Sequence, residues 1–202
     1  PMIVISGKSS YKYIDMNAFE EINGVEIASS VTKWARCCPF TERLHEYVQE
    51  AFRYATSGRM GPVLLEVPKD VVQGKCKKDA VKIYPPEKYR HSGRILGDPS
   101  AIKKALDILL NADRPLIIAG SGVYWSGAWN ELQKLAELLS IPVACEGLAV
   151  GCIPHDHPLY IGNAIGNPLT RKADTLLVIG AKFDEFLGFG RDPAFYSDDV
   201  KV

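Results

Sequence analysis

The segment Ala112-Asp113-Arg114-Pro115-Leu116-Ile117-Ile118-Ala119-Gly120-Ser121-Gly122 runs an apolar stretch of strand character straight into a glycine turn. An amphipathic helix is predicted next, from about Ser126 to Leu139. Strand, glycine turn and helix in succession form the unit on which α/β proteins hold phosphates. Glycine lets the backbone approach a ligand, and the first amides of the helix favour an anion. A full dinucleotide fingerprint carries a third glycine three residues after the second. Here that position is Trp125, and Gly127 comes two residues later. A ligand cradle and a plain βα turn both fit these residues.

The alternation continues on either side. Asp98-Pro99 predicts a helix start, with an N-cap followed by proline at the first helical position. Ile102, Ala105, Leu106, Leu109 and Leu110 form its expected apolar face. Strands are predicted at Leu116–Ala119, Pro142–Cys145 and Thr175–Gly180, with a short helix over Leu169–Ala173 and a glycine-rich loop from Gly147 to Gly162. Repeated βα units of this kind imply a parallel, doubly wound sheet. Ligands bind such sheets beyond the carboxyl ends of the strands. Gly120-Ser121-Gly122, Glu146-Gly147 and Gly180-Ala181-Lys182-Phe183-Asp184 are expected to meet there.

Upstream, Pro1–Gly7 reads as a buried strand, followed by a polar, irregular stretch to about Lys33. Leu44, Tyr47, Val48, Ala51, Phe52 and Ala55 repeat at helical spacing within a predicted helix from Thr41 to Ser57, and Gly58 suits a left-handed cap. Val63–Val67 is an unbroken apolar strand stopped by Pro68. Residues 74–97 lose periodicity and gather lysine, proline and glycine, with Arg90 and His91 among them. They divide the chain into 1–73, a linker 74–97, and 98–202. The chain starts in one predicted strand and ends in another at Asp199–Val202, so a segment of a longer protein is expected.

Lysine plus arginine and aspartate plus glutamate number 24 each, so no global field draws nucleic acid or an anionic membrane. The basic run Lys75-Cys76-Lys77-Lys78 has no interleaved aromatics and reads as a solvated linker. Five cysteines without a C-x-x-C pair argue against a disulfide framework or zinc site and fit a reducing cytoplasm, with Cys145 a small core residue. His155-Asp156-His157-Pro158 reads as a turn rather than a metal site. No apolar run has membrane-spanning length, and no signal peptide is visible.

In this order, the pieces resemble thiamine-diphosphate-dependent enzymes of the acetohydroxyacid synthase, benzaldehyde lyase and oxalyl-CoA decarboxylase type. The resemblance rests on Thr32-Lys33-Trp34-Ala35, on the long run Ser57 to Val71, on Arg114-Pro115 with Gly120-Ser121-Gly122, on Pro154 to Leu159, and on Ala173 to Gly180. It covers nearly the whole chain. It implies an α/β fold with parallel doubly wound sheets: the end of a pyrimidine-binding domain, then most of a Rossmann-like central domain. It also implies thiamine diphosphate and Mg²⁺ in the parent protein, with FAD or ADP as central-domain ligands in some branches. A 2-oxo acid or acyl-CoA substrate and a homodimer or homotetramer follow from the same likeness.

No catalytic residue is expected within the chain, because the family's ring-activating glutamate lies upstream of Pro1. The Gly-Asp-Gly element that holds the metal is absent from the sequence, so no metal ligand is expected either. Phe19-Glu20-Glu21 stands where members often carry Phe-Gln-Glu beside the cofactor or substrate. Glu20 replaces a neutral donor–acceptor with an acceptor-only anion. Lys182-Phe183-Asp184 stands where the synthases carry Arg-Phe-Asp, and lysine lacks arginine's planar fork. Phe186-Leu187-Gly188-Phe189-Gly190 looks more like the lyase and acyl-CoA branches. The expected parent reaction is acetolactate-forming carboligation. The alternatives are 2-hydroxyacyl-CoA lyase, oxalyl-CoA decarboxylase or benzaldehyde lyase chemistry, or a non-catalytic nucleotide-binding module built on residues 98–202.

Overall fold

Apolar runs too short for helices, separated by helical periods, leave parallel strand pairing as the way to bury them. The computed structural model describes residues 1–90, 93, 95–191 and 200–202. These fall into two compact units, Pro1–Ile95 and Leu96–Val202. His91 and Asp199 lie outside the described residues.

The first unit contains β1 (Met2–Lys8), α1 (Gly24–Ser29), β2 (Trp34–Cys37), α2 (Leu44–Thr56), β3 (Pro62–Pro68) and α3 (Lys69–Gln73). Its sheet has the order β1-β3-β2, all parallel, with Met2 opposite Pro62 and Trp34 opposite Val63. Val63, Leu65 and Val67 point to one face and pack with Trp34, Ala51 and Ala55. Trp34 stacks on Tyr54 at 6.0 Å between ring centroids, which ties β2 to α2. Gly58 takes the expected left-handed conformation at φ +57°. The polar stretch before Lys33 holds the helix α1, which its sequence does not announce. β1 is not the buried strand expected: it lies at the sheet edge, and Met2 and Ile5 are exposed. Of the α2 face, Phe52 also remains exposed.

The second unit contains α4 (Pro99–Leu110), β4 (Pro115–Ala119), α5 (Ser121–Ser126), α6 (Trp129–Leu139), β5 (Val143–Cys145), α7 (Pro168–Lys172) and β6 (Thr175–Ile179). Its strands are parallel in the order β5-β4-β6. Alternation along β4 feeds two cores. Ile117 and Ala119 pack with Val123, Leu132 and Ala136, whereas Leu116 and Ile118 pack with Ala164, Leu176 and Leu187. Both faces are therefore covered, as a doubly wound sheet requires. Cys145 lies in the first of these cores and is fully buried.

Asp98 caps α4 as predicted, accepting from the Ser100 N–H at 2.9 Å. Only Leu109 of its expected apolar face is buried, in the cluster of Ile117 and Ala119, while Ile102, Leu106 and Leu110 are exposed. The helix expected over Ser126–Leu139 is two helices. Gly127, at φ +68°, ends α5 in the left-handed conformation before α6 begins. At the far end, Leu176 donates to the Lys201 carbonyl and Lys201 to that of Asp174, adding a parallel bridge beside β6.

Candidate functional site

The carboxyl ends of β1 and β3 open into a cleft of about 700 Å³ in the first unit. Lys8 leaves β1 there and Val67 leaves β3, while Phe19 and Glu20 come from the loop after β1. Phe19 is 89% exposed, and Met16 and Val72 extend the apolar wall. Glu20 adopts φ +67°, unusual for a residue with a side chain, and its carboxylate lies toward Gly7. Its neighbour Glu21 shapes the loop. The Glu21 carboxylate accepts from the Ala18 N–H at 2.9 Å and from the Asp15 N–H, and these donors hold it below the usual carboxylate range. Phe19 and Glu20 thus line one cleft, while Glu21 is bound into the loop backbone.

Beneath the cleft lies a polar network that sequence reasoning did not find. The Glu66 carboxylate, on the α1 face of β3, is buried and ion-paired to the Lys8 ammonium at 3.3 Å. Tyr11 lies 3.3 Å from the Cys37 thiol through its hydroxyl, and its N–H donates to Asp70 at 3.1 Å. Burial raises both the Tyr11 hydroxyl and the Cys37 thiol above their ordinary values, so both are kept protonated. A charged residue inside an apolar strand, Glu66 in Leu-Leu-Glu-Val, was the available signal.

In the second unit, Gly120, Ser121 and Gly122 do meet Gly180 at the carboxyl end of the sheet. Their amides, however, are committed. Gly120 donates to the Ile179 carbonyl and Gly122 to that of Gly180, both at 2.9 Å. A Cβ on Gly120 would stand 2.6 Å from the Gly180 carbonyl oxygen, and one on Gly122 would stand 2.7 Å from the Gly180 Cα. The glycines serve backbone-to-backbone packing of β4 against β6. Ser121 accepts from the Leu148 N–H at 3.2 Å and so draws in the turn after β5. The free-amide argument for an anion is not met at Gly120 or Gly122. Trp125, where a third glycine would stand, is 45% exposed and does not enter the sheet packing.

Lys182 and Phe183 are exposed beyond β6. Asp184 is spent as a cap: its carboxylate accepts from the Phe186 N–H at 3.1 Å and starts the turn Glu185–Gly190. The Gly120 and Gly122 amides are therefore not free to hold a phosphate of FAD or ADP. The histidine pair forms the expected turn. His155 stacks on Tyr160, and His157 accepts from the Leu159 N–H through Nδ1 and meets the Glu137 carboxylate through Nε2 at 3.1 Å.

A doubly wound parallel sheet with its glycine joint at the strand ends defines a Rossmann-like α/β domain. Residues 102–202 match the thiamine pyrophosphate enzyme central domain, and the chain belongs to that family. Over its whole length it is 36% identical to a probable acetolactate synthase large subunit of Methanocaldococcus jannaschii, of which it spans 35%. It is 33% identical, again over its whole length, to 2-hydroxyacyl-CoA lyase 1 of Dictyostelium discoideum, spanning 34% of that protein. An acetolactate synthase large subunit of Buchnera aphidicola is 36% identical over 92% of the chain, which spans 33% of it. The chain thus covers about a third of the length of the relatives it matches.

Proposed function

We propose that this chain is part of a thiamine-diphosphate-dependent enzyme acting on 2-oxo acids, with acetolactate-forming carboligation as its reaction. The carrying observation is 36% identity to an acetolactate synthase large subunit along the entire chain, in both structural units. When bound, the cofactor supplies an electron sink at the attacked ketone carbon. No Gly-Asp-Gly occurs in the 202 residues, so no step is assigned to this chain's residues on Mg²⁺ or the diphosphate.

What this chain contributes is a wall of the substrate site. Phe19 supplies apolar surface and Glu20 an acceptor-only carboxylate to the first-unit cleft. The complete enzyme is read as a homodimer or homotetramer of the cytoplasm, a compartment consistent with five free cysteines. Among the described residues, no helix is long and apolar enough to cross a membrane. For FAD or ADP, Lys182 and Phe183 offer exposed side chains, while the Gly120 and Gly122 amides are already bonded.

A second reading, 2-hydroxyacyl-CoA lyase chemistry, is favoured by the whole-chain likeness to the Dictyostelium enzyme. The intact protein is given pyruvate, thiamine diphosphate and Mg²⁺, then separately a 2-hydroxyacyl-CoA and oxalyl-CoA. Acetolactate as the only product supports the first reading. Thioester cleavage with no turnover of pyruvate replaces it with the second.

A further inference from the structure

The loop between β1 and α1 forms one side of the first-unit cleft, where Tyr13, Met16, Ala18, Phe19 and Glu20 all line it. Its side chains do not pack it into place, since Met16 is 67% exposed and Phe19 89%. Its backbone is also costly. Asp15, Asn17 and Glu20 lie in the left-handed region, at φ +64°, +53° and +67°. Aspartate and asparagine tolerate that region, whereas a glutamate must be held there. Bonding rather than packing holds this loop. We propose that Glu21 is a positioning residue of the substrate site, whose carboxylate ties the loop so that Phe19 and Glu20 stay in the cleft. This role rests on the thiamine-diphosphate reaction proposed above.

Glu21 closes the loop twice. Its N–H donates to the Ala18 carbonyl at 3.0 Å. Its carboxylate accepts from the Ala18 N–H at 2.9 Å and from the Asp15 N–H, and the Asn17 and Met16 amides add to the same pull. Successive backbone amides in a turn make a concavity that takes an anion, and here the chain's own carboxylate fills it. The bonded amides bracket the left-handed Asp15–Asn17 stretch. Phe19 and Glu20 then sit between two anchored residues, Ala18 and Glu21. Glu21 itself does not line the cleft. With its oxygens bonded to the loop, it acts on substrate through its neighbours and not by contact.

Intact protein carrying Glu21→Ala, Glu21→Gln, Phe19→Ala, or Glu21→Ala with Phe19→Ala tests this. Each variant is assayed on pyruvate and on the two CoA substrates, and amide hydrogen exchange is read over residues 14–22. Glu21→Ala should speed that exchange by about tenfold, as charge-assisted bonds to the backbone are lost, and leave β3 unchanged. KM should rise about tenfold while kcat stays within about twofold, since the wall binds substrate and the cofactor carries the chemistry. Phe19→Ala should raise KM without changing exchange, and Glu21→Ala should add little to it in the double variant. Glu21→Gln keeps one acceptor oxygen and should recover part of both effects. Should Glu21→Ala disturb folding, Glu21→Gln decides by the same readouts. Unchanged exchange overturns the proposal. So does faster exchange with unchanged KM, or a double variant whose KM effects multiply in full. Wild-type protein that turns over none of the substrates overturns the reaction itself, and this role with it.

Discussion

The Lys8 ammonium stands 3.3 Å from the Glu66 carboxylate, diagonally across the β1–β3 ladder, where Lys8 is in register with Pro68 and Glu66 with Ser6. The Glu66 side chain is only 2% exposed, and that of Lys8 is 18% exposed. A carboxylate so placed has lost most of its hydration and depends on its partner.

Removing Lys8 is expected to cost about 3–5 kcal/mol, because the Glu66 charge is then left buried without compensation. Lys8→Met and Glu66→Gln are the variants, and urea unfolding is the measurement. Glu66→Gln should be the milder of the two, since it removes the buried charge itself. If Lys8→Met unfolds at the wild-type midpoint, the pair has no structural weight.

Gly122→Ala is expected to destabilise the second unit by roughly 1–3 kcal/mol, through overpacking against the Gly180 backbone. Thermal unfolding monitored by circular dichroism reads it. A Gly122 variant that keeps the wild-type melting temperature contradicts the joint described above.

The Cys145 thiol is pushed by burial from 9.0 up to about 11, with the neighbouring Cys152 and Glu146 adding to the effect. A folded-state value above the unfolded one means that the associated stability is complete below pH 9. It is then lost as pH rises toward about 11, because the unfolded thiol ionises first. Cys145→Ala should flatten that alkaline slope, measured as unfolding midpoint against pH. In native protein at neutral pH a thiol reagent should label exposed Cys76 first and Cys145 only on unfolding.

Lys33→Met should lower stability by about 1–2 kcal/mol, since two charge-assisted bonds to the end of α2 disappear. Gly61→Ala acts on the same contact. Its Cβ would stand 2.9 Å from the Lys33 Cδ and displace the lysine stem. Both variants should show the loss in urea titration, with the lysine change the larger.

Much of this architecture is legible in the residues. β3 and β4 are short, unbroken apolar runs between turn signals, and both form where the pattern puts them. α1 is not legible, because six residues beginning at Gly24 span under two turns and leave Ile27 exposed, so no period emerges. The break at Gly127 hides inside a pattern that continues on both sides of it. The site divides in the same way. Phe19 and Glu20 came to attention through family likeness alone, since nothing in their local pattern marks a cleft. The commitment of the Gly120 and Gly122 amides depends on Ile179 and Gly180, far along the chain, and no local rule connects them.

The Gly122–Gly180 contact also bears on how these positions can change over generations. A Cβ on either residue meets the other's Cα at 2.7 Å, and both are already the smallest residue available. A larger side chain at one position has no smaller partner to evolve at the other. The pair can therefore show no compensating exchange. Methods that infer contacts from correlated substitution will find no signal at one of the tightest approaches in the unit.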